Sequence, residues 1–345
     1  MFSYKLISSI KHAPILIGAF CCFHLANCSE EKPSTEKWET ASRDTSESIT
    51  DAALSTSSVK DQGQAKTDNA GKNSEVRFLA YNLKNYLSMR RYLDGKPVFK
   101  EKPIKEVDAI VQIIASVKPD VLGVCEIGKQ SDLEDLQKRL AIAGLELPHT
   151  HRVHGTDKTR AQGLLSRYPI TMTALPRKTN YTIEGRSFGI SRGILDASVE
   201  LPNRTVRLLG VHFKSKRPIQ EADQALMRRN ESLLLRQHIV DIMAEDPETQ
   251  LLVYGDFNDT KNSKSVSSIR GRSNSNTHMK IIELSDTRGE NWTHHWKHED
   301  IYSRIDFVMV NSRLESHINK KESKLLDPHN WETASDHRPL LILID

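Results

Sequence analysis

The sequence predicts an α/β fold in which two sheets pack face to face with helices on the outside. Short apolar segments that end in polar side chains alternate with amphipathic helical segments along most of the chain. The clearest example is residues 251–259, where four apolar residues and Gly255 precede Asp256, Phe257 and Asn258. Because this apolar run is short and turn residues close it, it favours a buried strand over a helix. Taken alone, the stretch favours a structural strand followed by an Asp/Asn turn over a functional site.

The elements of this fold begin near residue 76. Alternating apolar residues predict the first strand, and the first helix carries Val107, Ile110, Val111 and Ile114 on one face before Pro119 ends it. Strands are predicted at 76–82, 120–124, 163–170 with its turn, 193–201, 206–213, 251–255, 304–310 and 340–344, and helices at 104–117, 131–143 and 221–244. Residues 83–103 are expected to be basic and irregular, and residues 261–280 to form a mobile polar loop.

Residues 1–28 resemble an export signal. Lys5 and Lys11 precede a short apolar run, which is too short to span a bilayer as a helix. The segment ends in Leu-Ala-Asn-Cys, similar to a bacterial lipobox, with Cys28 as the residue that would carry the lipid; Asn27 departs from the usual small residue. We therefore expect a lipid-anchored protein of the periplasm or cell surface. Simple secretion and an uncleaved anchor are the alternatives.

Residues 29–74 are predicted to be a disordered polar linker, because they hold too little apolar surface to offset the entropy of ordering. The folded domain is expected at 75–345. Of the four cysteines only Cys125 lies in that domain, so a disulfide framework is excluded there, and Cys125 itself is expected to be a buried apolar residue. The net charge of +4 permits an anionic substrate without requiring one.

Polar side chains stand at the ends of the predicted strands or in the adjoining turns. Each alone is more often structural than functional. Together they supply oxygen ligands for a divalent ion, two imidazoles, and carboxylates and amides to orient them. The set comprises Asn82, Glu126, His212, Asp256 with Asn258, Asp306, and Asp336 with His337.

This ordered set resembles the endonuclease/exonuclease/phosphatase superfamily, which includes pancreatic deoxyribonuclease, bacterial exonuclease three, sphingomyelinases and inositol-polyphosphate phosphatases. Its most specific pieces are Tyr-Gly-Asp-Phe-Asn at 254–258 and Ser-Asp-His-Arg-Pro at 335–339, with Arg-Ile-Asp at 304–306 between them. The resemblance covers about residues 76–345. It implies a four-layer α/β/β/α sandwich of two packed mixed sheets.

The resemblance also implies a metal site. Glu126 looks like the principal Mg²⁺ ligand, with Asn82 close to the metal and Asp336 beside it or at a second metal position. Mn²⁺ and Ca²⁺ are alternatives to Mg²⁺ for such oxygen ligands.

The same resemblance assigns catalytic roles. Asp256 looks like the carboxylate that orients or deprotonates the attacking water, and Asn258 like the amide that holds a phosphate oxygen. His337 looks like the essential histidine with Asp306 as its partner. His212 corresponds to a histidine that deoxyribonuclease-like members place against the scissile phosphate.

Two basic residues are the predicted substrate contacts. Arg192 resembles a phosphate-binding arginine, and Lys214 begins the Lys-Ser-Lys-Arg run that is the best local candidate for contact with nucleic acid. An ordinary solvated basic surface is the alternative for this run and for the basic residues near the strand ends.

Three functions are compatible with these residues. The first is an exported, monomeric Mg²⁺-dependent phosphodiesterase of nuclease type that acts on DNA or RNA. The second is a phospholipid or small-molecule phosphoesterase on the same fold, although no exposed apolar hairpin for a bilayer is evident. The third is a non-catalytic surface lipoprotein that uses the fold for binding. Only the N-terminal lipid would contact a membrane under the first function.

Overall fold

The computed structural model of the chain describes residues 75–345, which form two mixed six-stranded sheets packed as a sandwich with helices on the outside, as predicted. The predicted signal segment, the linker and Cys28 lie outside the described residues. Within residues 75–345, none of the helices combines the length and apolar character needed to cross a bilayer.

The first sheet joins the two ends of the domain. Its strands are β1 (Val76–Tyr86), β4 (Val121–Ile127), β5 (His149–His154), β6 (Ala161–Ser166), β17 (Lys324–Leu325) and β18 (Leu340–Ile344), in the order β17-β18-β1-β4-β6-β5. The C-terminal strand β18 pairs antiparallel with β1, and β1 pairs parallel with β4. The parallel pair brings the carboxyl ends of β1 and β4 to one edge of the sheet.

The second sheet carries the other half of the predicted site. Its strands are β7 (Ile170–Ala174), β10 (Ile194–Leu201), β11 (Arg204–His212), β12 (Gln250–Asp256), β13 (Lys280–Ile281) and β16 (Asp306–Val310), in the order β13-β16-β12-β11-β10-β7. Strands β11 and β12 are parallel, with His212 opposite Asp256, and β16 runs antiparallel to β12 with Asp306 opposite Asp256.

Within the described part of the chain, six helices accompany the sheets: α1 (Ile104–Val117), α2 (Gln130–Ile142), α3 (Gln224–Glu245), α4 (Lys264–Arg270), α5 (Ser312–Glu315) and α6 (Trp331–Ala334). Buried residues of α1 and α2 pack on the outer face of the first sheet, and those of α3 and α4 pack on the outer face of the second. These contacts give the α/β/β/α layering.

The core between the sheets is apolar and closely packed. Phe78 of β1 meets Tyr254 of β12 edge to face, with ring centroids 5.0 Å apart. The Tyr254 ring also lies against Gly123 of β4, where a Cβ atom would stand only 2.2 Å from the ring. Glycine at 123 therefore sets how closely the sheets approach.

Two stretches differ from the sequence-based prediction. Residues 83–103 were expected to be irregular, yet they include a hairpin of β2 (Met89–Leu93) and β3 (Lys96–Lys100) around the turn at Asp94 and Gly95. The prediction of a mobile loop at 261–280 was wrong, because this stretch contains helix α4, whose Val266 and Ile269 are buried. Short hairpins are also formed by β8 (Asn180–Ile183) with β9 (Arg186–Gly189), and by β14 (His294–Trp296) with β15 (Ile301–Ser303).

Candidate active site

The strand ends of the two sheets meet in one cleft. The first sheet contributes Asn82 from β1 and Glu126 from β4, while the second contributes His212, Asp256 and Asp306 from adjacent strands. The turn before β18 adds Asp336 and His337. Five of these seven side chains are buried; Glu126 and Asp336 remain partly exposed. The polar residues that were expected to converge therefore do so.

A hydrogen-bonded array crosses the interface between the sheets. His337 Nδ1 lies 2.8 Å from Asp306 Oδ2, and the same oxygen accepts a 2.7 Å bond from the Thr293 hydroxyl. On the other side of the imidazole, Nε2 lies 3.8 Å from Asp256 Oδ2, which also accepts a 3.1 Å bond from Asn82 Nδ2. Because Asp306 accepts from Nδ1, the ring presents Nε2 to the cleft.

Burial and the neighbouring charges set the protonation of His337 and Asp256. Burial alone would lower the pKa of His337, but Asp306, Asp256 and Asp336 raise that pKa to about 10. Burial, followed by the charge of Asp306, raises the pKa of the Asp256 carboxyl to about 7, against the lowering effect of His337. At neutral pH, His337 is thus a cation, and Asp256 is poised to exchange a proton.

Glu126 owes its position to a β-bulge. The pairing of β4 with β6 shifts register between Cys125 and Ile127, and Glu126 itself adopts φ 62°. This left-handed conformation is costly for a non-glycine residue, and a bulge re-aims the side chain that it carries. The backbone N–H of Asn85 donates to Glu126 Oε2 over 2.9 Å, while Oε1 faces His212 Nε2 at 3.8 Å.

Strained backbone is concentrated around the cleft. Within residues 75–345, eight non-glycine residues have positive φ, and four of them lie at the cleft. These four are Lys84, Asn85, Glu126 and Asn258. Such conformations persist only where the surroundings impose them, and they are common at functional sites.

His212 is a buried neutral imidazole. Burial, together with the charges of Arg192, His337 and Arg160, holds its pKa well below the ordinary value. Its Nε2 lies 3.6 Å from Asp256 Oδ2, and its Nδ1 has no hydrogen-bond partner among the described residues. A buried polar atom of this kind is a candidate for contact with a ligand.

Asn258 orients the neighbouring carboxylate. Its backbone N–H donates to Asp256 Oδ1 over 2.8 Å, and its side-chain amide donates to Asp256 Oδ2 over 3.2 Å and to the Phe213 carbonyl over 3.0 Å. Both amide hydrogens therefore have protein acceptors, with which the expected phosphate contact would compete.

The predicted substrate contacts flank the cleft. The buried Arg192 places Nε 3.3 Å from Asp157 Oδ2 and donates from Nη1 to the Phe213 carbonyl over 3.3 Å. Lys214 is half-buried and begins the segment that follows His212. Burial, with the charge of Arg192, lowers the pKa of Lys214.

Sequence reasoning did not identify two residues that hold these side chains. The hydroxyl of Thr293 accepts the backbone N–H of Asp306 over 3.0 Å while donating to its carboxylate. The buried Glu231 carboxylate accepts the backbone N–H groups of Ser191 and Lys214 over 2.8 and 2.7 Å. The sequence does not distinguish these two residues, because a lone threonine and a helical glutamate are usually solvated.

Two residue sets compete as metal ligands. Asp256, Asp306 and His337 offer one ligand atom each within 4.8 Å of one another. However, the direct 2.8 Å contact between His337 and Asp306 is that of a hydrogen bond. Mg²⁺ prefers oxygen ligands, which the predicted set of Glu126, Asn82 and Asp336 supplies.

The charge balance of the cleft fits a bound cation. The cleft holds four carboxylates, those of Glu126, Asp256, Asp306 and Asp336; His337 lies beside the three aspartates, and Arg160 lies 3.8 Å from Glu126. Burial and, after it, repulsion by the charge of Asp306 raise the pKa of Asp256. A divalent ion would relieve that repulsion, so the residues present are compatible with the metal that the resemblance implies.

Solved structures share this fold at low sequence identity. A family protein from Leptotrichia buccalis C-1013-b aligns with a TM-score of 0.54 and 16% identity over 78% of this chain and 99% of its own. Beta toxin 275-280 from Staphylococcus aureus aligns with a TM-score of 0.54 and 14% identity over 78% of this chain and 100% of its own. D. rerio TDP2, complexed with a single strand DNA product, aligns with a TM-score of 0.53 and 15% identity over 79% of this chain and 100% of its own.

A sequence search against curated proteins found no match. The sequence profile of the Endonuclease/Exonuclease/phosphatase family, whose members are metal-dependent phosphoesterases, matches residues 100–337. That span covers more than two thirds of the chain. It holds the cleft residues from Glu126 to His337 and leaves out Asn82, Lys84 and Asn85 of β1. The chain therefore belongs to the endonuclease/exonuclease/phosphatase family.

Proposed function

We propose that this protein is an exported Mg²⁺-dependent phosphodiesterase that cleaves nucleic acid. The observation that carries the proposal is the array of Asp306, His337, Asp256 and Asn82, joined across the two sheets and bordered by Glu126 and His212. All of these residues belong to one chain, so the proposed site is complete within a single protomer.

The array matches what phosphodiester hydrolysis requires. The site must neutralise charge on the non-bridging oxygens, align a water molecule and assist the leaving oxygen. A cationic His337 would hold a phosphate oxygen or pass a proton from Nε2 to the leaving group, while Asp306 fixes its tautomer. Asp256, oriented by Asn82 and Asn258, would take the proton of the attacking water.

The remaining side chains support substrate binding. A neutral His212 would donate one ring N–H to a phosphate oxygen, and Arg192 and Lys214 would add positive charge beside it. Bound Mg²⁺, held by Glu126, Asn82 and Asp336, would polarise the phosphate and stabilise the developing negative charge.

Nucleic acid is favoured over other phosphodiesters for two reasons. The related TDP2 structure holds a single strand DNA product. The predicted contact Lys214 also begins a run of basic residues beside the cleft. Under this proposal, residues 1–28 direct export, Cys28 carries a lipid, and residues 29–74 link that anchor to the enzyme at the periplasmic or outer surface. Metabolic labelling of the expressed protein with a fatty acid, with Cys28→Ala as control, tests the anchor.

A substrate panel tests the activity. Purified protein is incubated with plasmid DNA, RNA, sphingomyelin or a chromogenic phosphodiester, each with Mg²⁺ and with EDTA. We expect Mg²⁺-dependent cleavage of DNA or RNA that EDTA abolishes. Turnover of sphingomyelin alone would overturn the nucleic-acid substrate in favour of a phospholipid. The absence of turnover on every substrate would favour the non-catalytic binding protein.

A further inference from the structure

The hairpin of β2 and β3 presents an unpacked face of aromatic and basic side chains. Cross-strand partners share a face of a hairpin, so Arg90 with Phe99 and Tyr92 with Pro97 point the same way. All four are exposed, and the Tyr92 and Phe99 side chains are 71% and 75% accessible. Large exposed rings on one surface are typical of a binding site. We call this the outer face of the hairpin.

The opposite face of the hairpin is anchored beside the cleft. Arg91 donates from Nη2 to the carbonyls of Asn85 and Leu87 over 3.0 and 3.1 Å. The buried Lys102 donates to the Lys84 carbonyl over 2.9 Å. Asn85 in turn bonds the Glu126 carboxylate. The hairpin is therefore fixed to the segment that forms one wall of the cleft, and its outer face is left free.

Positive charge is concentrated on this hairpin. Residues 89–100 contain four Lys or Arg and one Asp, a net charge of +3, whereas the whole 345-residue chain carries only +4. Of these cations, Arg90 lies on the outer face with the two flat rings, whereas Arg91, Lys96 and Lys100 alternate to the opposite face. The outer face thus combines a cation for a phosphate with two rings for bases. That combination is how proteins bind single-stranded nucleic acid, because every unstacked base offers a face to an aromatic ring.

A bilayer would require a different arrangement of the same residues. Segments that insert into lipid lead with apolar side chains, whereas the tip of this hairpin is Asp94 and Gly95, flanked by Lys96 and by a single exposed apolar residue, Leu93. The two rings lie along the flat of the hairpin, on the strands rather than at the turn. Stacking against a strand that leaves the cleft fits this geometry better than insertion.

We infer that the outer face of the hairpin binds single-stranded nucleic acid next to the cleft, with Tyr92 and Phe99 stacking on two bases and Arg90 contacting a phosphate. The inference rests on the proposed function and narrows it from phosphodiesters in general to polynucleotides with unpaired bases.

The test measures binding apart from cleavage. Fluorescence anisotropy follows a labelled oligothymidylate on the full chain with His337→Ala, so that the probe stays intact. Adding Tyr92→Ala and Phe99→Ala should weaken binding about tenfold for each ring. The matched controls are Ile142→Ala and Leu175→Ala, which remove side chains of 78% and 76% accessibility and should bind as the parent does.

The charge component is tested by salt. Arg90→Gln should reduce the slope of log affinity against log salt concentration by roughly 0.7, the contribution of one phosphate that the protein no longer neutralises. Arg177→Gln, at an exposed arginine on another surface, is the control and should leave the slope unchanged.

Two outcomes would overturn the inference. In one, the ring variants bind the oligonucleotide as the controls do. In the other, they lose binding to phosphatidylglycerol vesicles but not to the oligonucleotide, which would assign the face to a lipid surface. If the wild-type protein cleaves the chromogenic ester but the ring variants bind the oligonucleotide normally, this inference alone is refuted. Loss of binding by ring variants of a protein that cleaves nothing would refute the proposed function alone.

Discussion

The cleft and the hairpin beside it are built on opposite principles. In the cleft, Asp256, Asp306 and His337 are buried and held by hydrogen bonds that leave each ring and carboxylate one orientation. On the hairpin, Tyr92 and Phe99 face solvent, with most of each side chain accessible. Groups that react must be oriented in advance, whereas groups that follow a flexible polymer gain from remaining adaptable.

The difference predicts where substitutions are most damaging. A change in the cleft should alter the chemistry or the fold, and a change on the hairpin should alter binding alone. The expected effects therefore descend from the buried array to the exposed strands.

Removal of the cleft imidazole should have the largest effect. His337→Ala should lower kcat by about 10²- to 10⁴-fold, because no other group at that point can hold positive charge or pass a proton. Asp256→Ala should behave similarly. Circular dichroism should show a retained fold in both variants. His298→Ala, at an exposed histidine, is the matched control, and equal activity in all three variants would contradict the assigned roles.

Loss of Asp286 should have the largest effect on stability. Arg338 is fully buried, donates to Asp286 Oδ2 over 2.6 Å, and packs on the Trp292 ring 4.1 Å from its centre. Asp286→Asn would leave that buried guanidinium with only the more distant carboxylate of Asp327, 3.5 Å from Nη2, at a cost of about 3 kcal/mol in the free energy of unfolding. Glu248→Gln, which removes one partner of an exposed pair, should cost at most about 1 kcal/mol.

The pH dependence of this pair follows from its pKa. Burial alone would raise the pKa of Asp286, but hydrogen bonds from Arg338 and neighbouring backbone groups hold it well below the ordinary value. The stabilisation is therefore present above the unfolded pKa of about 4 and is lost as the pH falls below it. Urea unfolding at several pH values should show the difference between wild type and Asp286→Asn narrowing in acid. A constant difference would contradict the charged pair.

Asp306→Asn should have an intermediate effect, on the ionisation of His337. Without this partner the pKa of His337 should fall from about 10 by roughly 1–3 units. The raised pKa of His337 contributes to the stability of the fold. This contribution is fully present below the unfolded pKa near 6.5 and is lost as the pH rises through about 10. In Asp306→Asn the contribution should be lost at a lower pH. NMR of the imidazole signals in EDTA measures the shift. Asp300→Asn, which faces His295 instead, should leave it unchanged.

The smallest effect is expected on the hairpin. Arg90→Gln, Lys96→Gln and Lys100→Gln should each change the free energy of unfolding by less than about 0.5 kcal/mol, because all three side chains are exposed. Thermal melts check this. A loss of stability comparable with that of Asp286→Asn would mean that the hairpin is part of the stable core. That result would contradict the contrast between the two regions.

The fold was largely predictable because its signals are local. Helix α1 and strand β18 have the predicted bounds, since an apolar face and a short buried run specify them without help from the rest of the chain. Helix α4 was missed because seven residues rich in serine give little periodicity, and its burial against α3 is a tertiary effect. The β2–β3 hairpin was missed because its exposed face lacks the alternation that identifies a half-buried strand.

The site was only partly predictable for a related reason. Residue types and order identified Asp256 and His337, but the bulge that turns Glu126 and the hydroxyl of Thr293 beneath Asp306 depend on backbone geometry. Likewise, Arg338 follows His337 in the motif yet points to Asp286 and Trp292, on the opposite side of the segment from the cleft. Sequence alone does not tell which of two adjacent side chains reacts and which supports.

The array that crosses between the sheets has a consequence for unfolding. Asn82 and His337 belong to the first sheet and its preceding turn, whereas their partners Asp256 and Asp306 belong to the second, and Tyr254 against Gly123 sets the spacing. Neither sheet alone carries the complete set of reacting groups. An intermediate that keeps both sheets but lets them slide should therefore be inactive, so activity on warming should disappear no later than the first loss of tertiary structure.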